Sequence, residues 1–312
     1  MPLKPQHKYP VFRRKGDPNL YLFVEGGWYG YNPMSQPLGE GAMGTVWQGF
    51  NVRTGEKIAI KKVKERFQNV GIIRDRARLE ASMAFRHPHL IEMIGCCMIY
   101  PDRGPIWMLS NFVFGDEIDK FLKNVPEGES RIMFVSKAMC QVLDALEYIH
   151  SKGITHRDIK PSNIMVEDES NVRLMDLGIA RLSGGSHITS AGSFIGTPQY
   201  AAPEQIMGQE PNETTDIYAL GVTFYELLTG VNPYDDDEGD EKQGDDDQVV
   251  FGKQLTEVLP KSEKVPKKLY KVLLKATEKD RSKRYQTAEE FRMAIQETMA
   301  PQRSVWHRFF SS

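Results

Sequence analysis

The sequence predicts an α+β chain whose strands come first and whose helices come later. Three segments carry that prediction. Thr45-Val46-Trp47-Gln48-Gly49-Phe50 is a β-branched and aromatic run, a turn around Arg53-Thr54-Gly55 comes next, and Lys57-Ile58-Ala59-Ile60-Lys61-Lys62-Val63 completes a strand, turn, strand unit. From Arg131 to Lys152 the residues Ile132, Val135, Met139, Val142, Leu143, Leu146 and Ile149 recur at helical spacing, and Gly153 supplies the stop. A further helix runs from about Thr214 to Leu228 and closes with Gly230 and Pro233. With 312 residues, 40% hydrophobic and 26% charged, the chain can bury a sizeable core.

Residues 1–34 hold five prolines and the aromatic stretches Tyr21-Leu22-Phe23-Val24 and Trp28-Tyr29-Gly30-Tyr31. So many apolar rings argue against a disordered tail and for a short strand or hairpin packed on the neighbouring strands. Next comes Leu38-Gly39-Glu40-Gly41-Ala42-Met43-Gly44-Thr45-Val46, a G-x-G-x-x-G-x-V pattern. Alone it is shared with dinucleotide-binding folds, but there the glycines lie between a strand and a helix. Here they lead into a strand hairpin.

Farther on, His156-Arg157-Asp158-Ile159-Lys160-Pro161-Ser162-Asn163 precedes Asp176-Leu177-Gly178, and Ala202-Pro203-Glu204 comes later. A carboxylate can orient an attacking hydroxyl, and carboxylate and amide oxygens are the hard ligands that Mg2+ prefers. Singly, each segment could be an ordinary loop, strand lysine or turn. Together and in this order they resemble the Gly-rich loop, lysine strand, catalytic loop, metal turn and activation-segment end of protein kinases. The resemblance implies a two-lobed fold: a small β-rich lobe with one main helix, about residues 35–111, and a larger helical lobe, about 114–295. Residues 1–34 then form an extension packed on the small lobe, and 296–312 a tail.

The resemblance assigns roles. Asp158 is the catalytic aspartate, Lys160 a neutraliser of the transferring phosphate, and Asn163 and Asp176 the metal ligands. The Gly-rich loop, Leu38 to Val46, covers ATP. Lys61 grips its α and β phosphates, and Ala59 lies on the adenine. Trp107-Met108-Leu109-Ser110-Asn111-Phe112-Val113 reads as the last small-lobe strand and the connector. Ser110 falls at the gatekeeper, and the backbone of Asn111 and Val113 faces the adenine edge. Glu117 falls where a carboxylate often binds the ribose, although such groups are more often simply solvated. Asp216 matches the aspartate that holds the catalytic-loop backbone, and Arg284 the partner of Glu204.

One position departs from the pattern. The glutamate that pairs with the strand lysine usually lies nine residues before the histidine of a His-Pro motif, here His87-Pro88, which gives Arg78. Glu80 is two positions off, and on a helix that turns a side chain by about 200°. Either the helix end is two residues shorter and Glu80 comes into line, or the Lys61 pair is made differently. Charge sign favours Glu80. Leu177 replaces the usual phenylalanine of the metal turn.

Lys160 and Gly196-Thr197-Pro198-Gln199-Tyr200 resemble the Ser/Thr branch, and Asp280-Arg281-Ser282-Lys283-Arg284-Tyr285-Gln286 the eukaryotic-like Ser/Thr kinases of bacteria. This implies transfer from MgATP to Ser/Thr hydroxyls of a protein substrate. The alternative is a pseudokinase scaffold that binds nucleotide or partners only. Arg157 implies control by a phosphate on the activation segment, with Thr189 the first site and Ser193 the next. Thr197 instead contacts Asp158 and Lys160.

Net charge is −2 and the pI about 6.4, which gives no basic field for nucleic acid. No apolar stretch reaches a bilayer-spanning length, and Met1 to Lys8 lack the apolar segment of a secretory signal, so a cytoplasmic location is expected. Cys96, Cys97 and Cys140 suit a reducing compartment. The acidic stretch 235–247 reads as a solvated loop or, more sharply, as a dock for a basic partner. Trp306-His307-Arg308-Phe309-Phe310 reads as a packed end sooner than a membrane contact.

Overall fold

The computed structural model describes residues 10–41, 43–83, 85–176, 198–235 and 247–300. Outside them lie Ala42, Leu177, Gly178, Thr189, Ser193, Thr197, the acidic residues 236–246 and the aromatic segment from Trp306.

Strands β1 (Val11–Arg13), β2 (Leu20–Val24) and β3 (Gly27–Tyr31) form an antiparallel meander. The β2–β3 turn holds both central residues, Glu25 and Gly26, at positive φ (46° and 77°), the mirror-image turn that matches strand twist. Strand β4 (Gly39–Glu40) pairs with the start of β5 (Gly44–Asn51), and β3 pairs with its end through Tyr29 to Asn51 and Tyr31 to Gly49. Residues 11–31 are therefore part of the sheet itself, where the sequence suggested a hairpin lying against it. After β6 (Lys57–Val63) come a short helix α1 (Glu65–Gln68), the helix α2 (Gly71–Ser82), and strands β7 (Met93–Met98) and β8 (Ile106–Asn111). The sheet order is β1-β2-β3-β5-β6-β8-β7.

This sheet curls until β2 packs on β7. A glycine is required at the seam. Gly95 has φ 154°, and a Cβ there would stand 2.5 Å from Val24 Cγ1. Inside the curl, Leu22, Val24, Tyr31, Ile58, Ile60, Cys97, Trp107 and Leu109 form one core, with Trp107 Nε1 donating to Tyr31 Oη at 2.8 Å. On the other face, Val63, Ile73, Ala77 and Ile106 seat α2.

The larger lobe opens with β9 (Asp116–Glu117), α3 (Ile118–Leu122) and α4 (Glu129–His150). Strands β10 (Ile164–Asp168) and β11 (Asn171–Leu174) pair antiparallel and join β9 in a small sheet at the cleft floor. Helices α5 (Pro203–Ile206), α6 (Glu213–Thr229), α7 (Asp247–Thr256), α8 (Lys267–Ala276) and α9 (Ala288–Met299) complete the lobe. Helix α6 is buried along nearly its whole length, because an apolar helix in the lobe's centre is covered on every side. Asn212 caps its start by accepting from Thr214 N, and Gly230, in the left-handed region, ends it. Among the described residues, no helix is long and apolar enough to cross a membrane.

Candidate active site

Strand pairing places the small-lobe side of the cleft. Val46 lies opposite Lys61 across β5 and β6, and Ala59 opposite Ser110 across β6 and β8. Leu38 N donates to Val46 O at 2.8 Å, which folds the Gly-rich loop back on β5. Its glycines are not equivalent. A Cβ at Gly44 would meet Lys62 O at 2.7 Å, so the fold needs that one, whereas a Cβ at Gly39 meets nothing within 4 Å and one at Gly41 only Gly44 O. Glu40 reaches Lys64 at 2.9 Å, and Lys64 N donates to Met43 O, so both ends of the loop tip are tied to the end of β6.

On the connector, Asn111 N donates to Glu92 O at 3.0 Å and Val113 is buried. Glu117 pairs with Lys120 at 2.9 Å, which engages one of its carboxylate oxygens within its own helix turn.

The loop 156–163 hangs from one aspartate. Asp216, fully buried on the first turn of α6, accepts from His156 N and Arg157 N, each at 2.8 Å, and its Oδ2 stands 2.8 Å from His150 Nε2. These bonds hold Arg157 at φ 68°, a conformation unfavourable for a side chain of its size. His156 Nδ1 accepts from Asp158 N, so the ring proton sits on Nε2 and goes to Met175 O at 2.9 Å. That bond ties this loop to the segment after β11 that carries Asp176. His150 had drawn no attention in the sequence, since nothing local marks a histidine that meets its aspartate 66 residues away.

Asn163 Nδ2 donates to Asp158 O at 2.7 Å and to its Oδ2 at 3.1 Å, and Lys160 Nζ lies 3.5 Å from Asp158 Oδ2. Asp158, Lys160 and Asn163 are thus one cluster, with Asp176 brought in by Met175 N donating to Asn163 O.

Lys61 Nζ pairs with Asp176 Oδ2 at 2.7 Å. Burial works against its charge, but Asp176, Glu80 and Asp158 outweigh that and hold its pKa above the ordinary lysine value. The partner anticipated from the sequence was Glu80; in this structure the ion pair is made with Asp176. Glu80 is nonetheless buried and electrostatically coupled to Lys61. Burial, with help from Asp176, lifts its pKa from 4.5 to about 8, against the pull of Lys61. Arg78, at the position nine before His87, points the other way, to Asp75 at 2.9 Å and to Pro101 O. Helix α2 ends at Ser82 with Met83 as its cap.

Behind the cleft, Arg284 grips Glu204 through two bonds of 2.7 and 2.8 Å, both side chains almost wholly buried, and also donates to Thr214 O and Glu278 O. Burial would raise the Glu204 carboxyl, but Arg284, with hydrogen bonds from Thr215 and main chain, outweighs it and the pKa is lowered. Arg157 Nη2 meets Glu210 at 3.2 Å.

Comparison with known proteins identifies the family. The protein kinase domain family matches residues 33–295. The chain is 30% identical over 261 residues to the probable serine/threonine-protein kinase PknB of Lactococcus lactis, covering 81% of this chain and 39% of that protein. It is 32% identical over 285 residues to a probable serine/threonine-protein kinase of Streptomyces coelicolor, covering 87% and 40%. The chain therefore spans about two fifths of the length of these curated relatives. A crystal structure of the Mycobacterium tuberculosis PknI kinase domain superposes with a TM-score of 0.62 at 24% identity, covering 85% of this chain and 94% of that one, which speaks for the fold. With that family model spanning both lobes, the chain belongs to the protein kinase domain family.

Proposed function

We propose that the chain is a protein serine/threonine kinase that transfers the γ-phosphoryl of ATP, with Mg2+, to a protein hydroxyl. The observation that supports this best is the convergence of three segments, carrying Lys61, then Asp158, Lys160 and Asn163, then Asp176, at one end of the cleft. Asp158 orients the substrate hydroxyl and takes its proton as the new O–P bond forms and the bond to the departing ADP breaks. Lys160, 3.5 Å away, offsets charge on the moving phosphoryl. Open space beside Gly39 and Gly41 suits main chain lying close over phosphates.

The donor set fits a hard divalent cation. Asp176 offers carboxylate oxygens, and Asn163, whose Nδ2 is committed to Asp158, offers Oδ1. Bound Mg2+ would neutralise phosphate charge there. Asp176 would then be withdrawn from Lys61, leaving the ammonium for the phosphates and for a Glu80 that has lost its proton. Thr189 and Ser193 remain the proposed autophosphorylation sites, with Arg157 the receiving cation. The adenine-edge role of Asn111 and Val113, the ribose role of Glu117 and the substrate contact of Thr197 belong to the same reading.

The test is incubation with labelled ATP and Mg2+, followed by mass spectrometry of the modified sites. Label on Ser or Thr in the wild type and none with Asp158→Asn is the expected result. Nucleotide binding without transfer in the wild type would favour the scaffold instead.

A further inference from the structure

Helix α2 carries Glu80, and besides the bond of exposed Arg78 to Pro101 O it is held by a buried arginine that none of the motifs includes. Arg74 is almost wholly buried at 1% exposure. Its partners are main-chain carbonyls: Nη1 donates to Gln68 O at 2.6 Å and to Gly104 O at 2.7 Å, Nε to Pro101 O at 3.0 Å, and Nη2 to Tyr100 O. The chain of bonds continues. Gln68 Nε2 donates to Val63 O at 2.7 Å, which is the last residue of the Lys61 strand, and Asn69 Oδ1 accepts from Gly104 N. One guanidinium thus ties α2 to the end of β6 and to the loop between β7 and β8.

The apolar contacts of Ile73 and Ala77 hold α2 against the sheet but are non-directional and leave it free to roll. A planar cation with donors in fixed directions removes that freedom. Six residues on, about 9 Å along the axis, Glu80 is buried within electrostatic reach of Lys61, and misplacing a group near the chemistry by about 1 Å can cost about a hundredfold in rate.

We propose that Arg74 is a positioning residue for phosphoryl transfer: it sets the rotation of α2 against β6 so that Glu80 is presented to Lys61. The inference rests on the kinase reading above and deepens it.

The experiment is a cycle of Arg74→Lys and Arg74→Met with Glu80→Gln, measuring kcat, the KM for ATP and the melting temperature. Arg74→Lys is expected to lower kcat by about tenfold or more, and to add less than about twofold once Glu80 is already Gln, because the two changes break one device. A merely structural arginine would lower the melting temperature and give losses that multiply. Multiplying losses, or a normal kcat in both Arg74 variants, would overturn the proposal. Should the wild type transfer phosphate to nothing, the kinase reading falls, and hydrogen exchange at the α2 amides decides the tether. Faster exchange in Arg74→Lys with α4 unchanged supports it, and unchanged exchange ends it.

Discussion

Lys61 has three carboxylates within electrostatic reach, Asp176, Glu80 and Asp158, and only the first is in direct contact. That competition gives the single-residue predictions. Asp158→Asn should lower kcat by about 10²- to 10⁴-fold with nucleotide affinity largely kept, as read by steady-state kinetics beside calorimetric titration. Lys61→Met should cut turnover while the melting temperature stays close to wild type, because the methionine keeps the apolar stem; collapse of the fold would count against the phosphate role. Glu80 supplies a pH dependence. Its carboxyl titrates at about 8 in the folded chain against 4.5 when exposed, so folding takes up a proton. Its contribution is most favourable below about pH 4.5 and is lost as pH rises through about 8. Glu80→Gln should therefore melt above wild type at pH 8, the gap closing toward pH 5. Parallel pH profiles for the two proteins would show the carboxyl is not raised.

Among the elements, the curled sheet of the small lobe offers the sharpest test. Trp107 Nε1 has its buried donor satisfied by Tyr31 Oη, across the join between the first meander and the strands behind it. Tyr31→Phe leaves the indole N–H unpaired and should cost about 1–3 kcal/mol, measured by denaturant unfolding, with the cleft residues untouched. The β5–β6 hairpin, α4 and α6 were legible in the sequence because period and stop signals are local: Gly153 and Gly230 both end helices at positive φ. The place of β1 to β3 was not. Their aromatic residues announce burial, but only the pairing of Tyr31 with Gly49 and the contact of Val24 with Gly95 say which sheet they extend. The same holds for the cleft. Lys61, Asp158, Asn163 and Asp176 stand in contiguous motifs, whereas the choice of Asp176 over Glu80 as the lysine's partner, the third donor His150 on Asp216 and the Arg74 tether depend on segments far apart in the chain.

For the molecule as a whole, Glu204 and Arg284 join α5 to the loop before α9, 80 residues on. Removing one partner leaves a charge stranded in the interior, so Glu204→Gln should lose about 3–5 kcal/mol, seen as a lower unfolding midpoint. An apolar replacement of both partners should recover part of that loss. The seam that closes the small lobe bears on how the chain folds. Pro10 O accepts from Cys97 Sγ, and β2 rests on β7, so the contact that closes the lobe joins the meander to a strand some 87 residues farther along the chain. Until that contact forms, Leu22, Val24 and Tyr31 have no interior to enter. Closure of that lobe is a long-range step, slow by the rule that distant pairings pay their loop entropy first, and until it happens the apolar side chains of the meander are open to misassociation.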